Sequence, residues 1–227
     1  MWWLIIGAVA VGVVIVELAQ RFNSNRAKGY SALGLTLLGT FAGFSLATVA
    51  ANASHEKQVR DSVVGLLVST YTSCEGSLSK VHSYLDYAET MPDSITIMPS
   101  PLGLNLPGTH DALVSNGEYF TTISPQLQIN MPRAIEALAM YEGAYLVQIE
   151  EAPDAFPVGT LKMAEAELVL QMEMLALEIK RLTKEINENG FLVEFRAAVE
   201  RYEDRVKQLA ERDRKDGDRV IRSVKSG

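Results

Sequence analysis

Two long apolar stretches near the start of the chain dominate its hydropathy pattern. Residues 2–19 read WWLIIGAVAVGVVIVELA, and residues 30–51 read YSALGLTLLGTFAGFSLATVAA. A helix of roughly 20 mostly apolar residues crosses the hydrocarbon layer of a bilayer, and both stretches approach that length. The first lacks the positively charged leading region of a cleavable signal, so we expect both to be retained as anchors. The pattern predicts a transmembrane helical hairpin over residues 1–52.

The short connection between the two stretches carries three basic residues and no acid, which bears on membrane orientation. Basic loops favour the cytoplasmic side of a membrane. Residues 20–29 are therefore predicted to be cytoplasmic, with residues 53–227 outside a plasma or inner membrane. His55, Lys57 and Arg60 follow the second stretch closely. They make this preference slight and leave a cytoplasmic domain as the alternative.

One acidic residue interrupts the first stretch near its end. Glu17 precedes Arg21 by four residues, which is the favourable order for an ion pair along a helix. We interpret the two residues as a pair at the membrane boundary. The alternative is an intramembrane acid that lines an ion or proton path, although neither stretch holds a second acid.

Small residues recur at every fourth position of the second stretch, and they are Gly39, Gly43, Ala47 and Ala51. Such a face lets two helices approach closely in lipid, where dispersion rather than hydrophobicity drives association. The first stretch offers a matching pair in Ala8 and Gly12. The stripe predicts packing against the first stretch or, equally, against another copy of the chain.

The remainder of the chain has the period of amphipathic helices. Apolar positions recur in steps of three and four after the second stretch: Val59, Val63, Leu66, Thr70, Cys74, Leu78, Val81, Leu85 and Ala88. No proline lies between Ser31 and Glu89, so the second stretch is predicted to continue unbroken into a long outer helix. Residues 53–227 are thus predicted to form a helical domain outside the bilayer.

Six prolines and three glycines punctuate residues 90–132, which predicts a loop-rich cap with one short helix after Thr109. Within this cap, residues 97–108 read IMPSPLGLNLPG, an apolar composition that solvated loops avoid. Large exposed apolar patches are rare on soluble surfaces. We predict that the run is tucked against the helices, with exposure to a partner as the alternative.

Three more helices are predicted after the cap. The first covers residues 133–151 and the second residues 160–188, where the Asn189-Gly190 pair is expected to stop it. The third carries a coiled-coil seam formed by Leu192, Phe195, Val199, Tyr202, Val206 and Leu209. Short connections predict an antiparallel bundle in which the basic tail returns toward the membrane. The predicted fold class is an all-α membrane protein, a transmembrane hairpin followed by this bundle.

The charge distribution narrows the classes of function. The formal net charge is −7, and residues 86–178 hold fourteen acids against only Arg133 and Lys162. This balance excludes a basic nucleic-acid binder, and we interpret the acidic region as a solvated surface. Cys74 is the single cysteine, so no intrachain disulfide is possible. Its place on an apolar helical stripe favours a buried structural role.

The sequence shows no pattern of catalytic or ligand-binding residues. The three histidines are scattered, and no phosphate-binding or dinucleotide-binding loop occurs. Glu165 and Glu167 are two residues apart, so they do not share a helix face. We predict no catalytic residue, no metal, no cofactor and no small-molecule substrate, and hence no enzyme.

The sequence therefore predicts a non-enzymatic membrane-anchored protein that acts as a scaffold, accessory subunit or sensor. Its expected partners are membrane lipid and other proteins, including further copies of the chain or a larger membrane complex. The alternative is an oligomeric membrane effector or channel-like assembly gated by the helical domain. A hydrolase or transferase is the weakest interpretation, because such chemistry needs paired titratable groups in a cleft.

Overall fold

The structure of the chain, a computed structural model, describes residues 14, 17, 25–90, 101–104, 109–152 and 156–225. Side chains are described for these residues except 25–35, 37, 38, 109–111 and 213–225. The chain divides into two compact units, Met1–Gln58 and Val59–Gly227. The described residues are largely helical and contain no strand, which confirms the predicted all-α fold.

Six helices lie within the described ranges: α1 Asn25–Thr90, α2 Thr109–Ser115, α3 Gly117–Thr122, α4 Pro125–Glu151, α5 Val158–Leu182 and α6 Glu188–Lys225. The helix α1 includes the whole of the second apolar stretch and the first part of the second unit. This confirms the predicted unbroken helical continuation of that stretch, whereas its location outside a membrane stays a prediction. The short α2 and α3 lie in the predicted cap, where the sequence predicts only one short helix.

The first unit is described from Asn25 to Gln58, together with Val14 and Glu17, which are both helical. Among the residues described, no helix combines the length and the apolar character that a membrane span requires. The first predicted span, residues 2–19, falls outside the described residues except at Val14 and Glu17. Several side chains at the start of the second predicted span also fall outside them.

Within the second unit, α1 places one stripe of side chains in the core. The buried positions are Val63, Leu67, Thr70, Cys74, Ser77 and Val81. They are spaced by four and three residues, so they lie on one face of the helix. The predicted stripe is confirmed as the buried face, although Leu66 and Leu78 lie at its edge and are only partly buried.

The segment after α1 packs along the side of the second unit. Leu102 and Leu104 are buried. Between them, the Gly103 N–H donates to Glu142 Oε1 at 2.9 Å, and the Gly103 carbonyl oxygen accepts from Ser77 Oγ at 3.3 Å. The described part of the apolar run is thus tucked against α1 and α4, as predicted. The rest of that run lies outside the described residues.

Contacts along α5 fix the directions of the other helices. From the end of α5 to its start, the contacting pairs are Glu178 with Ser124, Glu173 with Arg201, Glu165 with both His82 and Arg205, and Thr160 with Gln148. Leu182, at the end of α5, lines the same cavity as Val64 of α1. In α1, α4 and α6 the residue number rises as the number in α5 falls. The helix α5 is therefore antiparallel to the other three, and those three run parallel to one another.

The predicted antiparallel order is consequently wrong for α1 and α4. The segment between these helices carries the chain back along the unit, so that α4 starts near the beginning of this unit instead of at the Thr90 end. The helix α6 then also runs from the Val59 end toward the Thr90 end. The prediction that the basic tail returns toward the membrane assumes that every helix reverses. That premise is not met, and the position of the tail relative to a membrane stays a prediction.

The start of α4 lies well before the predicted position at residue 133. Pro125 occupies the first turn, where its missing N–H has no helical partner to lose. The Ser124 hydroxyl caps the helix by accepting a hydrogen bond from the Leu127 N–H at 3.3 Å. Pro132 therefore lies inside the helix, and the predicted start at residue 133 is wrong.

The turn between α5 and α6 also comes earlier than predicted. The helix α5 ends at Leu182, and Lys184 adopts a left-handed backbone conformation with φ of 64°. The Asn187 Oδ1 then accepts from the Gly190 N–H at 2.8 Å and caps the start of α6. The predicted helix stop at Asn189-Gly190 is wrong, because this pair lies in the first turn of α6. The predicted hairpin of two helices is confirmed.

Gly103 offers a test of the packed segment. Its φ is 65°, a conformation that costs a residue with a Cβ about 1–2 kcal/mol. Gly103→Ala is therefore expected to destabilise the second unit by about that amount. Gly143→Ala is the matched control, since Gly143 is helical with open space around an added Cβ, and it should stabilise by about 0.5–1 kcal/mol. Thermal unfolding followed by circular dichroism should shift in opposite directions for the two variants. An unchanged midpoint in the Gly103 variant would contradict the described backbone.

Candidate functional site

Among the described residues, nothing covers the small-residue stripe predicted for the second apolar stretch. Gly39, Gly43, Ala47 and Ala51 are all exposed, and a Cβ added at either glycine would meet nothing within 4 Å. Large apolar side chains of the same helix are also exposed: Phe41 by 47%, Phe44 by 71%, Leu46 by 70% and Val49 by 41%. Residues 39–51 of α1 thus present apolar side chains on every side.

Hydroxyl groups on this part of α1 are bonded within the helix itself. Thr40 Oγ1 donates to the Thr36 carbonyl at 2.9 Å, and Thr48 Oγ1 donates to the Phe44 carbonyl at 2.9 Å. Such bonds satisfy a polar side chain without water. The helix can therefore lie in an apolar environment with these two donors already satisfied.

Two predictions for the membrane region, the helix–helix packing and the boundary ion pair, involve residues that the structure does not describe. Ala8 and Gly12, the predicted packing pair of the first stretch, lie outside the described residues. Glu17 is helical and exposed, whereas Arg21 is outside the described residues. The helix–helix packing and the boundary ion pair therefore stay predictions.

The predicted seam on α6 is displaced at its start. Phe195 is buried, and the partly buried members are Val199, Tyr202, Val206 and Leu209. Leu192, in contrast, is 38% exposed, and Phe191 is buried in its place. The Arg181 guanidinium lies 5.8 Å from the centroid of the Phe191 ring, which packs against Phe195. Leu192 therefore lies outside the buried face of α6, and Phe191 occupies that face instead.

Polar side chains of three helices meet inside the second unit. This polar layer consists of Tyr141 of α4, Glu167 and Gln171 of α5 and Tyr202 of α6. Glu167 is only 6% exposed and is hydrogen-bonded to the Tyr202 hydroxyl and the Gln171 amide. Burial raises the pKa of Glu167, and the two hydrogen bonds and the charge of Arg133 offset this only in part. Burial and the hydrogen bond to Glu167 also raise the pKa of Tyr202.

One acceptor in the polar layer has no partner among the described residues. Gln171 is 1% exposed, and its Oε1 accepts no hydrogen bond there. The Gln171 amide N–H is used instead on Glu167, a hydrogen bond that favours the carboxylate. Burial outweighs this bond, so the pKa of Glu167 is still raised.

A second buried carboxylate joins the start of α4 to the end of α5. Glu178 is fully buried, and its Oε1 accepts from the Ser124 N–H at 2.8 Å and from Arg181 Nη2 at 2.5 Å. Arg181 Nη2 also donates to the Thr122 carbonyl at 2.8 Å. This ion pair therefore holds both the N-cap residue of α4, Ser124, and the last residue of α3, Thr122. The charges compensate each other away from water.

A third carboxylate bridges three helices nearer the surface. Glu165 of α5 lies 3.0 Å from His82 Nε2 of α1 and 2.9 Å from Arg205 Nη2 of α6. The side chains of His82 and Arg205 are 50% and 41% exposed. Partly exposed pairs of this kind contribute little to stability, so this bridge mainly orients the helices.

Two groups that could act as nucleophiles, the Cys74 thiol and the Tyr145 hydroxyl, are held in unreactive surroundings. Cys74 is buried, and burial raises the pKa of its thiol to about 12. Burial and the neighbouring Tyr84 raise the pKa of Tyr145 to about 12. Within the described ranges, no group of three or more His, Cys, Asp or Glu side chains is placed to hold a metal ion. These positions support packing rather than chemistry.

An open cavity of about 460 Å³ lies where α1 meets the turn after α5. It is lined by Arg60, Asp61, Val64, Leu182, Thr183 and Lys184. The lining mixes two cations with one acid. The carbonyl groups at the end of α5 add partial negative charge, so the cavity has no single sign that selects a charged ligand.

The interior acids are what the sequence analysis missed. The interpretation of the acidic region as a solvated surface is wrong for Glu167 and Glu178, which are buried. The spacing of Gln171 and Glu178 could have indicated a polar stripe on α5, because residues seven apart share one face of a helix. That face is buried because α5 packs against both α4 and α6.

Comparisons of the chain with protein-family models, with curated proteins and with solved structures found no match. Function therefore has to be argued from the residues themselves. Two features stand out: an apolar helix exposed on all sides in the first unit, and a second unit whose interior acids join its helices.

Proposed function

We propose that the chain is a non-enzymatic, membrane-anchored protein that acts as a scaffold, accessory subunit or sensor through protein–protein contacts. The first unit anchors it as a two-span hairpin in a plasma or inner membrane, and the second unit binds partners, on the outer side. The observation that carries the proposal is the exposed apolar surface of α1 between Gly39 and Ala51.

This surface is costly in water and favourable in lipid. Each fully exposed Phe or Leu forfeits roughly 1.5–3 kcal/mol relative to an apolar environment. A helix that is apolar on all sides belongs in a core or a bilayer. Residues 29–54 carry no charged side chain, so the apolar surface extends without interruption. The internal hydrogen bonds of Thr40 and Thr48 remove a further cost of transfer into lipid.

The second unit supports a role in interaction. Three of its acids join helices: Glu167 contacts Tyr202 of α6, Glu178 accepts from the Ser124 N–H at the start of α4, and Glu165 bridges His82 of α1 and Arg205 of α6. A carboxylate engaged in this way is a structural element rather than a free acid or base. The channel alternative gains nothing from Thr40 and Thr48, because their hydroxyl groups already donate to their own helix.

Membrane flotation tests the proposed anchor. Phe44→Lys combined with Leu46→Lys is expected to weaken retention of the chain in membranes, since each lysine near the centre of a span costs roughly 2.5–3.5 kcal/mol and residues 2–19 are then left as a single span. The matched control is Val68→Lys with Val193→Lys, two lysines at positions that are 46% and 69% exposed in the second unit. The control should float with membranes as the wild type does. Equal flotation of all three proteins would contradict the proposed anchor.

A further inference from the structure

The outer face of α4 carries an apolar stripe that nothing in the described part of the chain covers. Ile129 is 63% exposed, Met140 60% and Val147 51%. At 3.6 residues per turn, the three side chains lie within roughly 20° of one line along the helix. Gly143 lies beside this line, with open space around an added Cβ, so another helix could approach closely.

Two opposite charges lie on the same face between the apolar side chains. Ile129, Arg133, Glu136 and Met140 follow one another in steps of four, three and four, the spacing of a coiled-coil seam. Arg133 and Glu136 are both exposed. The order along the helix is apolar, positive, negative, apolar. Read in the opposite direction, the charges are exchanged and the apolar positions are kept.

We propose that α4 is a self-association surface, on which the α4 helices of two copies pair antiparallel about a two-fold axis. In this register Ile129 of each copy packs on Met140 of the other, and Arg133 of each copy meets Glu136 of the other. A two-fold interface requires such a self-complementary surface. A parallel register would instead place Arg133 opposite Arg133 and Glu136 opposite Glu136.

The pairing suits a second copy better than an unrelated partner, because each charge on the face is matched by a charge of the same face. It covers a small area, so the association is expected to be weak and reversible. It concerns only residues of the second unit. The inference therefore goes beyond the proposed membrane anchor and does not depend on it.

Disulfide trapping in detergent micelles, where two copies can take either relative direction, tests the register. The chain with Ile129→Cys and Met140→Cys should form a covalent dimer under mild oxidation with copper phenanthroline. Each single variant should not, because the introduced thiol and its counterpart in the other copy would be about 16 Å apart along the axis, too far for a disulfide. The wild type, whose Cys74 is buried, is the background control.

A second pair of substitutions controls for random collision. Ile129→Cys with Val147→Cys places thiols at similarly exposed positions that the proposed register does not bring together. It should give several-fold less dimer than the 129/140 pair. Equal yields from both pairs, dimers from the single variants, or no dimer from the 129/140 pair would each overturn the proposal. Retention in membranes can be measured on the same samples, so loss of the anchor is detected separately.

Charge reversal tests the polar contacts of the same register. Glu136→Arg should lower the yield of the 129/140 dimer several-fold, because it places Arg133 opposite an arginine. Adding Arg133→Glu exchanges the two charges and should restore the yield. A dimer that is insensitive to Glu136→Arg, or that the exchange does not restore, would show that these charges do not face each other.

Discussion

Arg181→Ala is expected to lower the free energy of unfolding of the second unit by about 3–5 kcal/mol. The substitution leaves the fully buried Glu178 carboxylate without its compensating charge. It also removes the donor to the Thr122 carbonyl, just before the cap of α4. Loss of this magnitude is a large part of the stability of a typical domain. Chemical denaturation of the chain in a mild detergent, followed by circular dichroism, measures it.

The control for this prediction also removes the Glu178 charge that Arg181→Ala leaves unpaired. Glu178→Gln added to Arg181→Ala should recover part of the lost stability, because a neutral amide costs less to bury and its oxygen can still accept from the Ser124 N–H. If the double variant is as unstable as the single one, lost packing rather than the buried charge explains the effect. If Arg181→Ala has wild-type stability, the described ion pair is wrong.

Glu167→Gln is expected to change how stability depends on pH. The pKa of Glu167 is raised above its ordinary value of 4.5 in the folded chain, so the folded state holds this proton more tightly than the unfolded state. The stabilisation is complete below pH 4.5 and is lost as the pH rises through the raised pKa of the folded state. The slope in that window is at most about 1.4 kcal/mol per pH unit for one proton.

The variant should lose this negative slope above pH 4.5 and should be at least as stable as the wild type at neutral pH. Glu173→Gln, on the same helix, is the matched control, since Glu173 pairs with Arg201 at the surface. It should keep the wild-type slope. Unfolding free energies measured from pH 4 to 8 decide between the outcomes, and a wild-type slope in the Glu167 variant would mean that its carboxyl is not the group that titrates.

The helical class and the buried face of α1 could be predicted from the sequence because each depends on local periodicity. Positions such as Val63, Cys74 and Val81 repeat at the helical period, and burial of one face follows from that repeat. The absence of proline up to Glu89 similarly predicts the unbroken α1. The apolar run around Leu102 and Leu104 is predicted to be buried from composition alone, and these two residues are buried.

The direction of α4 could not be predicted, because it depends on where the preceding segment packs. The hydrogen bonds of Gly103 with Ser77 and Glu142 join residues far apart in sequence, and no local sequence pattern predicts them. Helix ends were misplaced where side-chain caps decide them, as at Ser124 and Asn187. Both residue types are common helix caps, but the sequence offers several such residues nearby.

The polar layer was missed for a different physical reason. Charged residues usually face solvent, so an acidic region is interpreted as a surface unless specific partners are known. Glu167 is buried because Tyr202 of α6 and Gln171 supply hydrogen bonds, and these partners come together only in the folded unit. The small-residue stripe at Gly39 and Gly43 is exposed in the structure, and its partner stays a prediction.

Alkaline carbonate washing of membranes from cells that express the wild-type chain tests the proposal that α1 and the stretch before it hold this chain in lipid. The chain is expected to stay in the membrane pellet and to leave it only when detergent is added. Release into the wash as a monodisperse helical protein, stable in buffer without detergent, would contradict the proposal.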